Sequence, residues 1–251
     1  MLALSEYCPE LPFQELKEPN NLLGLEYLKM LHRLNSGITP HTIRRAGNAY
    51  HDSSIQEYLP ASASGIRKNL LENGGRFTET LCEQLPSAEV YDSYHGKTPL
   101  TEDAFSLLLL EKLRRIQGEP LHHYFDVNRE LSNRIWKHLD EYESFSQFTD
   151  LLKTRNLART SVSRALLHIL LDIHGWQPPS ILRMLGFRKC AAPLLTELTL
   201  HGTLPVVTSP ADPRIPTSWL YADRLYESVR SLLHRQPYRN EQRRKVLVRC
   251  V

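Results

Sequence analysis

Apolar residues recur at three- and four-residue spacing along most of this chain, as in amphipathic helices that pack against one another. The first stripe runs through Leu22, Leu25, Leu28 and Leu31 and predicts a helix from about Asn21 to Leu34. The same spacing predicts helices at 104–116, 131–142, 145–152, 162–173, 193–200 and 219–233. Strand signals are confined to 38–46, around Thr42-Ile43, and to 204–207. The pattern therefore predicts a mostly α-helical protein.

The sequence Asn73-Gly74-Gly75 marks the clearest boundary, because a helix that begins near Gly65 must end there. Residues 1–75 hold two helices and one or two candidate strands, which are too few to close a parallel sheet. They form either a small appendage or part of a larger fold. Residues 76–251 form a helical array. We therefore expect a domain boundary near residue 75.

The composition is that of an ordinary globular protein. The 251 residues are 41% hydrophobic and 24% charged, which excludes a disordered or fibrous chain. The net charge of +3 indicates no partner by itself. From Arg214 onward, however, 9 basic residues stand against 3 acidic ones. Either an anionic partner or a solvated helix face explains that surplus.

The cysteines and the apolar runs indicate the compartment. The 4 cysteines are far apart and form no C-x-x-C pair, so we expect neither a disulfide framework nor a zinc site. The apolar runs are shorter than the roughly 20 residues that cross a bilayer. The N-terminus lacks the basic leader of a secretory signal. We expect a cytoplasmic protein without a membrane partner.

Two polar pairs in the first fifty residues are candidate ligand contacts. Asn20 and Asn21 precede the first helix, where one asparagine suffices as a cap and the second is available to a ligand. The more common interpretation of such a pair is a cap followed by a turn residue. Arg44 and Arg45 lie at the end of the strand-like stretch, and paired guanidinium groups suit phosphate binding. A solvated basic pair is the alternative.

The segment 61–68, Ala-Ser-Ala-Ser-Gly-Ile-Arg-Lys, leads small residues into a helix. Ser62 or Ser64 is expected to be the N-cap, which leaves backbone N–H groups accessible to a phosphate. Arg67 and Lys68 are expected in the first turn, where positive side chains oppose the helix dipole unless an anion is bound. An ordinary helix capped by a serine is an alternative interpretation of the same residues.

A second basic segment precedes the predicted helix at 162–173. Lys153, Arg155, Arg159 and Arg164 lie within twelve residues, beside hydroxyl side chains. Such a cluster suits the phosphate backbone of a nucleic acid. A charged loop between helices is the alternative interpretation.

Several stretches together resemble the bacterial tRNA-Met cytidine acetate ligase family of the nucleotidyltransferase superfamily. They are EPNNLLGLEYLKML, TIRRAGNAYHD and ASASGIRKNL in the first third of the chain. FDVNRELSNRIWKHL, LLKTRNLARTSVSRALLHILLDI, LRMLGFRK and LPVVTSPAD follow in the rest. The resemblance extends from about residue 15 to about residue 226. It implies the remnant of an α/β, Rossmann-like nucleotidyltransferase domain at 1–75, followed by a helical tRNA-binding domain at 76–251.

The resemblance also implies an activity. Family members use ATP, with Mg²⁺ expected beside it, to activate acetate as acetyl-adenylate. They then acetylate N4 of the wobble cytidine in elongator methionine tRNA. It implies ATP contacts from Asn20 or Asn21 and from Arg45, Ser62, Ser64 and Arg67. Lys153, Arg155, Arg159 and Arg164 would face the tRNA.

The sequence departs from the family in one important respect. Family members open with a strand and a His-x-x-His-type phosphate motif, and the histidines here show no such spacing. The first part of the nucleotide-binding domain is therefore expected to be missing, as in a truncated or split gene product. The isolated chain is predicted to be inactive or weakly active. The alternatives are a non-catalytic RNA-binding helical module and a purely structural helical protein.

Overall fold

The computed structural model describes residues 19–43, 61–84, 96–97, 99–243 and 246–249. The described α-helices are α1 Pro19–Arg33, α2 Ala63–Glu72, α3 Glu79–Cys82, α4 Ser106–Arg115, α5 Arg129–His138, α6 Phe145–Leu152, α7 Arg159–Leu170, α8 Ala192–His201 and α9 Thr217–His234. The described strands are β1 Leu182–Arg183, β2 Gly186–Arg188, β3 Val206–Val207 and β4 Leu247–Arg249. Short 3-10 turns lie at Glu102–Phe105, Leu121–His123, Leu139–Glu141, Lys189–Ala191 and Glu241–Arg243. The prediction of a mostly helical chain is confirmed.

The chain divides into two compact units, Met1–Ile66 and Arg67–Val251. In the first unit, α1 ends at a left-handed Asn35, where the Ser36 N–H reaches the Leu31 carbonyl at 2.9 Å. The apolar stripe of α1 is largely exposed, with Leu22, Leu25 and Leu28 each about 45% accessible. The predicted strand at 38–46 is wrong in its described part, because residues 38–43 form no strand.

Helix α2 is terminated by the glycines that follow it. Gly74 takes a φ of 60°, and the Gly75 N–H bonds to the Leu70 carbonyl at 2.7 Å, while the Gly74 N–H reaches Leu71 at 3.3 Å. This double hydrogen bond is a Schellman motif, which a left-handed glycine favours. The predicted end of this helix at Asn73-Gly74-Gly75 is confirmed. The domain boundary near residue 75, with the roles assigned to each side, stays a prediction.

The main core of the second unit lies among α4, α5, α6 and α7. Helix α6 buries Phe145, Phe148 and Leu152, and α7 buries an equivalent row of apolar residues, so each contributes one stripe at helical spacing. Asn128 caps α5 by accepting from the Leu131 N–H at 2.8 Å, and Ser144 caps α6 in the same way. The predicted helices in this region form the bundle, and that bundle positions the basic segment that follows α6.

A smaller cluster lies toward the C-terminus of the second unit. Strand β1 pairs in parallel with β3, and β2 pairs in parallel with β4. Ile181, Val207, Ile215 and Leu220 pack together beside them. Strand β3 confirms the strand signal at 204–207, whereas the sequence patterns did not indicate β1, β2 or β4.

The described helices include none long and apolar enough to cross a membrane. Cys82 and Cys190 are free thiols.

Candidate functional site

The two asparagines lie inside the first turn of α1. The described helix begins at Pro19, so Asn20 and Asn21 are its second and third residues rather than caps. Proline suits the first helical position because its missing N–H would have no partner there. Both asparagine side chains are exposed. They lie at a helix N-terminus, where the helix dipole favours anions.

The start of α2 assigns different roles to the two serines. Ser62 is 4% exposed, and its Oγ accepts the Gly65 N–H at 3.0 Å, while its carbonyl accepts the Ile66 N–H. Ser62 is therefore the N-cap. Ser64 is exposed and lies in the first turn. The N–H groups of Ala63 and Ser64 have no intrahelical partner, as at any helix start.

Arg67 lies farther into the helix than the sequence suggested. With Ser62 as the cap, Arg67 is the fifth helical residue, and Lys68 pairs with Glu72 at 3.9 Å one turn on. The expectation that both cations oppose the dipole in the first turn is wrong, because that effect fades beyond one turn. The exposed Arg67 side chain can still serve an anion. Arg44 and Arg45 lie outside the described residues.

The loop between α6 and α7 carries the basic segment in a defined conformation. Arg134 on α5 donates to the carbonyls of Leu151 and Leu152 at 3.0 and 3.1 Å, which satisfies the C-terminal end of α6. Thr154 and Leu157 exchange backbone hydrogen bonds across the loop. The loop is therefore fixed at both ends.

Each of the four predicted RNA-binding cations is exposed. Three of them are engaged in ion pairs: Lys153 with Asp150 at 2.9 Å, Arg159 with Glu102 at 3.0 Å, and Arg164 with Asp126 at 2.6 Å. Arg155 makes no ion pair within the described residues. These pairs reduce the net positive field of the segment, and Arg155 is its least compensated charge.

The ion pairs also shift the pKa values of two of these side chains. The hydrogen bond that the Arg159 guanidinium donates to Glu102 raises the pKa of that guanidinium above its ordinary value. The hydrogen bond from Lys153 lowers the pKa of the Asp150 carboxyl. Both effects keep the charged forms in place at neutral pH. Acidic neighbours therefore hold the segment in position as well as partly neutralising it.

A group of aromatic rings in the second unit was not predicted from the sequence. His123 and Tyr124 meet His174, which is fifty residues further along the chain. The sequence shows only how far apart these three residues are along the chain, and that spacing does not predict a contact between them. Within the described residues, no group of three or more His, Cys, Asp or Glu side chains is placed to hold a metal ion.

Two solved structures share the fold of this chain. The solved structure of Thermotoga maritima TmcAL in its apo form matches all of this chain and 66% of its own chain, with a TM-score of 0.81 and 19% identity. A second TmcAL structure, bound with alpha-thio ATP, matches with a TM-score of 0.69 and 18% identity, across 65% of its own chain. At this level of identity the likeness concerns the fold.

The profile of the family described as HIGH Nucleotidyl Transferase matches residues 2–245. The chain therefore belongs to the HIGH nucleotidyl transferase family. A match of this extent does not support the expectation of a missing N-terminal part.

Three curated relatives are named tRNA(Met) cytidine acetate ligase. The Halothermothrix orenii protein is 31% identical over 201 residues, which are 77% of this chain and 47% of that protein. The Thermoanaerobacter sp. protein is 32% identical, and the match covers 77% of this chain and 49% of that protein. The Bacillus cereus protein is 30% identical, and the match covers 90% of this chain and 60% of that protein. The chain thus spans about half to three fifths of the length of these relatives.

Proposed function

We propose that this chain is, by family, a cytoplasmic tRNA(Met) cytidine acetate ligase for the ATP-dependent acetylation of cytidine in methionine tRNA, and that the isolated chain is inactive or weakly active. The observation that carries the proposal is membership of the HIGH nucleotidyl transferase family together with ligase relatives at 30–32% identity. The described side chains supply two kinds of surface that such an enzyme requires.

The starts of α1 and α2 supply the first surface. Asn20, Asn21 and Ser64 are exposed at helix N-termini, and Arg67 follows along α2. Arg45 joins this set through the family resemblance. Helix N–H groups and a guanidinium stabilise the charge that develops on a phosphate during substitution. We infer that these residues bind the phosphates of ATP, which brings Mg²⁺ with it.

The chemistry then takes two steps. An acetate oxygen attacks the α-phosphorus of ATP, the bond to the β-phosphate bridge breaks, and pyrophosphate leaves acetyl-adenylate behind. The N4 amine of the wobble cytidine attacks the acetyl carbonyl, loses a proton and releases AMP. Positioning the two reactants and neutralising phosphate charge are the contributions that these residues can make.

The basic segment of the second unit supplies the tRNA surface. Lys153, Arg155, Arg159 and Arg164 are exposed and held in place by the α6–α7 loop and its ion pairs. Phosphate contacts of this kind position an RNA without reading its sequence. Elongator methionine tRNA is the proposed partner and acetate the proposed co-substrate.

A non-catalytic tRNA-binding module is the second candidate, because the basic segment is exposed whether or not ATP is used. Equilibrium dialysis of the 251-residue chain with ATP separates the two. The ligase proposal expects ATP binding that weakens in Ser64→Ala and Arg67→Ala, but not in Arg76→Ala, which changes an exposed arginine beyond the end of α2. Binding of tRNA without any binding of ATP would favour the module.

An acetate-dependent ATP–pyrophosphate exchange assay tests the chemistry. We expect weak or no exchange from the isolated chain, because it contains no His-x-x-His motif. Robust exchange would contradict that expectation and show that other residues replace the motif.

A further inference from the structure

Three aromatic rings meet at one surface of the second unit, and we refer to His123, Tyr124 and His174 as the three-ring cluster. The centroids of His123 and Tyr124 are 4.3 Å apart, those of Tyr124 and His174 4.7 Å, and those of His123 and His174 5.2 Å. The planes of His123 and His174 differ by 16°. Tyr124 is 5% exposed, whereas both imidazoles are exposed. The cluster therefore has a buried phenol beneath two solvent-facing rings.

The backbone around the cluster is fixed. The Phe125 N–H donates to the Ile173 carbonyl at 2.8 Å, and His168 Nδ1 lies 3.0 Å from the Phe125 carbonyl. Beside it, Lys112 Nζ lies 2.9 Å from Asp172 and 5.7 Å from the centre of the Tyr124 ring. These contacts join the turn at 121–126 to the end of α7. A flat ligand would meet rings that are already in position, so it would lose little free energy in ordering them.

An open cavity of about 400 Å³ adjoins the rings. Its lining consists of His122, His123, Tyr124, Phe125, Asp126, Val127, Asn128 and His174. The lining combines aromatic faces with an Asn amide, an Asp carboxylate and imidazole nitrogens. Such a lining offers stacking together with hydrogen-bond donors and acceptors, which is the chemistry that a nucleobase requires.

One residue of the basic segment, Arg164, adjoins the cavity. Arg164 Nε lies 2.6 Å from Asp126 Oδ2, and Asp126 lines the cavity. An RNA backbone that contacts Arg164 would thus pass beside the rings. Proteins that hold single-stranded RNA combine a cationic track with aromatic rings on which unpaired bases stack.

We propose that the three-ring cluster is a stacking site for an unpaired base of the RNA that the basic segment holds. This inference rests on the proposed function, because it takes tRNA as the ligand. It adds a second mode of contact: the cations bind phosphates, and the rings of His123 and His174 receive the face of a base.

The test measures binding of the full chain to methionine tRNA and to a fully paired RNA duplex of matched length. The variant His123→Ala/His174→Ala removes both exposed rings. It is expected to bind the tRNA about tenfold more weakly, the scale of one lost stacking contact, with the duplex affinity unchanged. The variant His123→Phe/His174→Phe keeps two flat rings and is expected to retain the tRNA affinity. His201→Ala changes an exposed histidine on α8 and is the matched control. Thermal unfolding of each variant shows that it is folded.

The outcomes separate the two proposals. If the unaltered chain binds the tRNA and the double alanine variant binds it equally well, the stacking site is wrong and the proposed function stands. The stacking site is also wrong if the alanine and phenylalanine variants lose affinity alike, or if tRNA and duplex affinities fall together. If the unaltered chain binds no tRNA, both the proposed function and the stacking site are overturned.

Discussion

Ser62 and Ser64 are two residues apart at the start of one helix, yet their different burial gives them different structural roles. Ser62 is buried and its oxygen accepts the Gly65 N–H, whereas Ser64 faces solvent. A buried cap stabilises the helix, and an exposed hydroxyl in the first turn is available to a ligand. The sequence leaves the choice between them open, because either serine precedes a helical pattern.

Replacement of Ser62 by alanine tests this difference. The change removes the acceptor of the Gly65 N–H, so we expect the free energy of unfolding to fall by about 1 kcal/mol. Ser64→Ala, the matched control, is expected to change it by less than about 0.5 kcal/mol, as for an ordinary surface site. Urea unfolding measures both. Equal losses in the two variants would show that Ser62 is not the cap.

Asp103 makes a pH-dependent contribution to the bundle. Its Oδ1 accepts the Ser146 N–H and its Oδ2 accepts the Ser146 hydroxyl, both at 2.7 Å. Burial alone would raise the pKa of this carboxyl, but the hydrogen bonds from Ser146 lower it overall. A lowered pKa means that the contribution is complete above the unfolded-state value, near pH 4, and is lost as the pH falls through the folded-state value.

Comparison with Asp103→Asn isolates that contribution. The amide keeps one acceptor and does not titrate near pH 4, so the variant is expected to lose less stability between pH 6 and pH 3 than the unaltered chain. Because Asp103 is exposed, we expect a difference of no more than about 1 kcal/mol. Thermal unfolding across this pH range measures it. Parallel pH profiles for the two proteins would exclude a role for Asp103.

At the scale of elements, the helices followed from the sequence and most of the strands did not. Helix α6 spans 145–152, as its apolar spacing predicts, because a stripe that must face a core is set by local periodicity. Strands β1, β2 and β4 are two or three residues long, too short for an alternating pattern to appear. They pair with partners far along the chain, 182 with 206 and 186 with 247.

The candidate sites show the same limit. The basic segment can be recognised in the sequence as a cluster of Lys and Arg residues. The acidic residues that pair with it, Glu102 and Asp126, lie in turns that are distant along the chain. The three-ring cluster joins residues fifty positions apart, so only the folded chain shows it. Local patterns thus indicate which residues can carry a charge or a ring. The packing of α4 to α7 decides which of them meet.

Leu107 and Leu109 on α4 test how strongly that packing depends on a single face of a helix. Leu109 is fully buried in the bundle core, whereas Leu107 is 77% exposed. Leu109→Ala leaves a cavity and is expected to cost about 2–5 kcal/mol of unfolding free energy. Leu107→Ala, the matched control on the same helix, is expected to change it by less than about 0.5 kcal/mol. Denaturant unfolding measures both, and a similar cost for the two leucines would contradict the orientation of α4.

At the scale of the whole molecule, the electrostatics of the proposed tRNA binding depend on which cations already have an ion-pair partner. Lys153, Arg159 and Arg164 each hold a carboxylate, so a phosphate must compete with an existing partner. Arg155 makes no such pair in the described part of the chain. A lone exposed guanidinium binds a phosphate without first giving up an ion pair, so Arg155 should contribute most per residue to the salt-dependent part of the affinity.

Binding of methionine tRNA across a salt series tests that order. Arg155→Ala removes one phosphate contact, so the slope of log affinity against log salt is expected to fall by about one. Arg159→Ala also leaves Glu102 without its ion-pair partner and removes one of the two cations beside Asp150, which adds repulsion toward RNA and lowers the stability of the loop. It should therefore weaken binding and lower the melting temperature together, whereas Arg155→Ala should change binding alone.

Lys137→Ala, which removes an exposed cation on α5, is the control and should change neither binding nor the melting temperature. If Arg155→Ala and Lys137→Ala gave the same salt slope as the unaltered chain, the α6–α7 loop would not be the tRNA-facing surface, and the positive residues beyond Arg214 would be the next region to test.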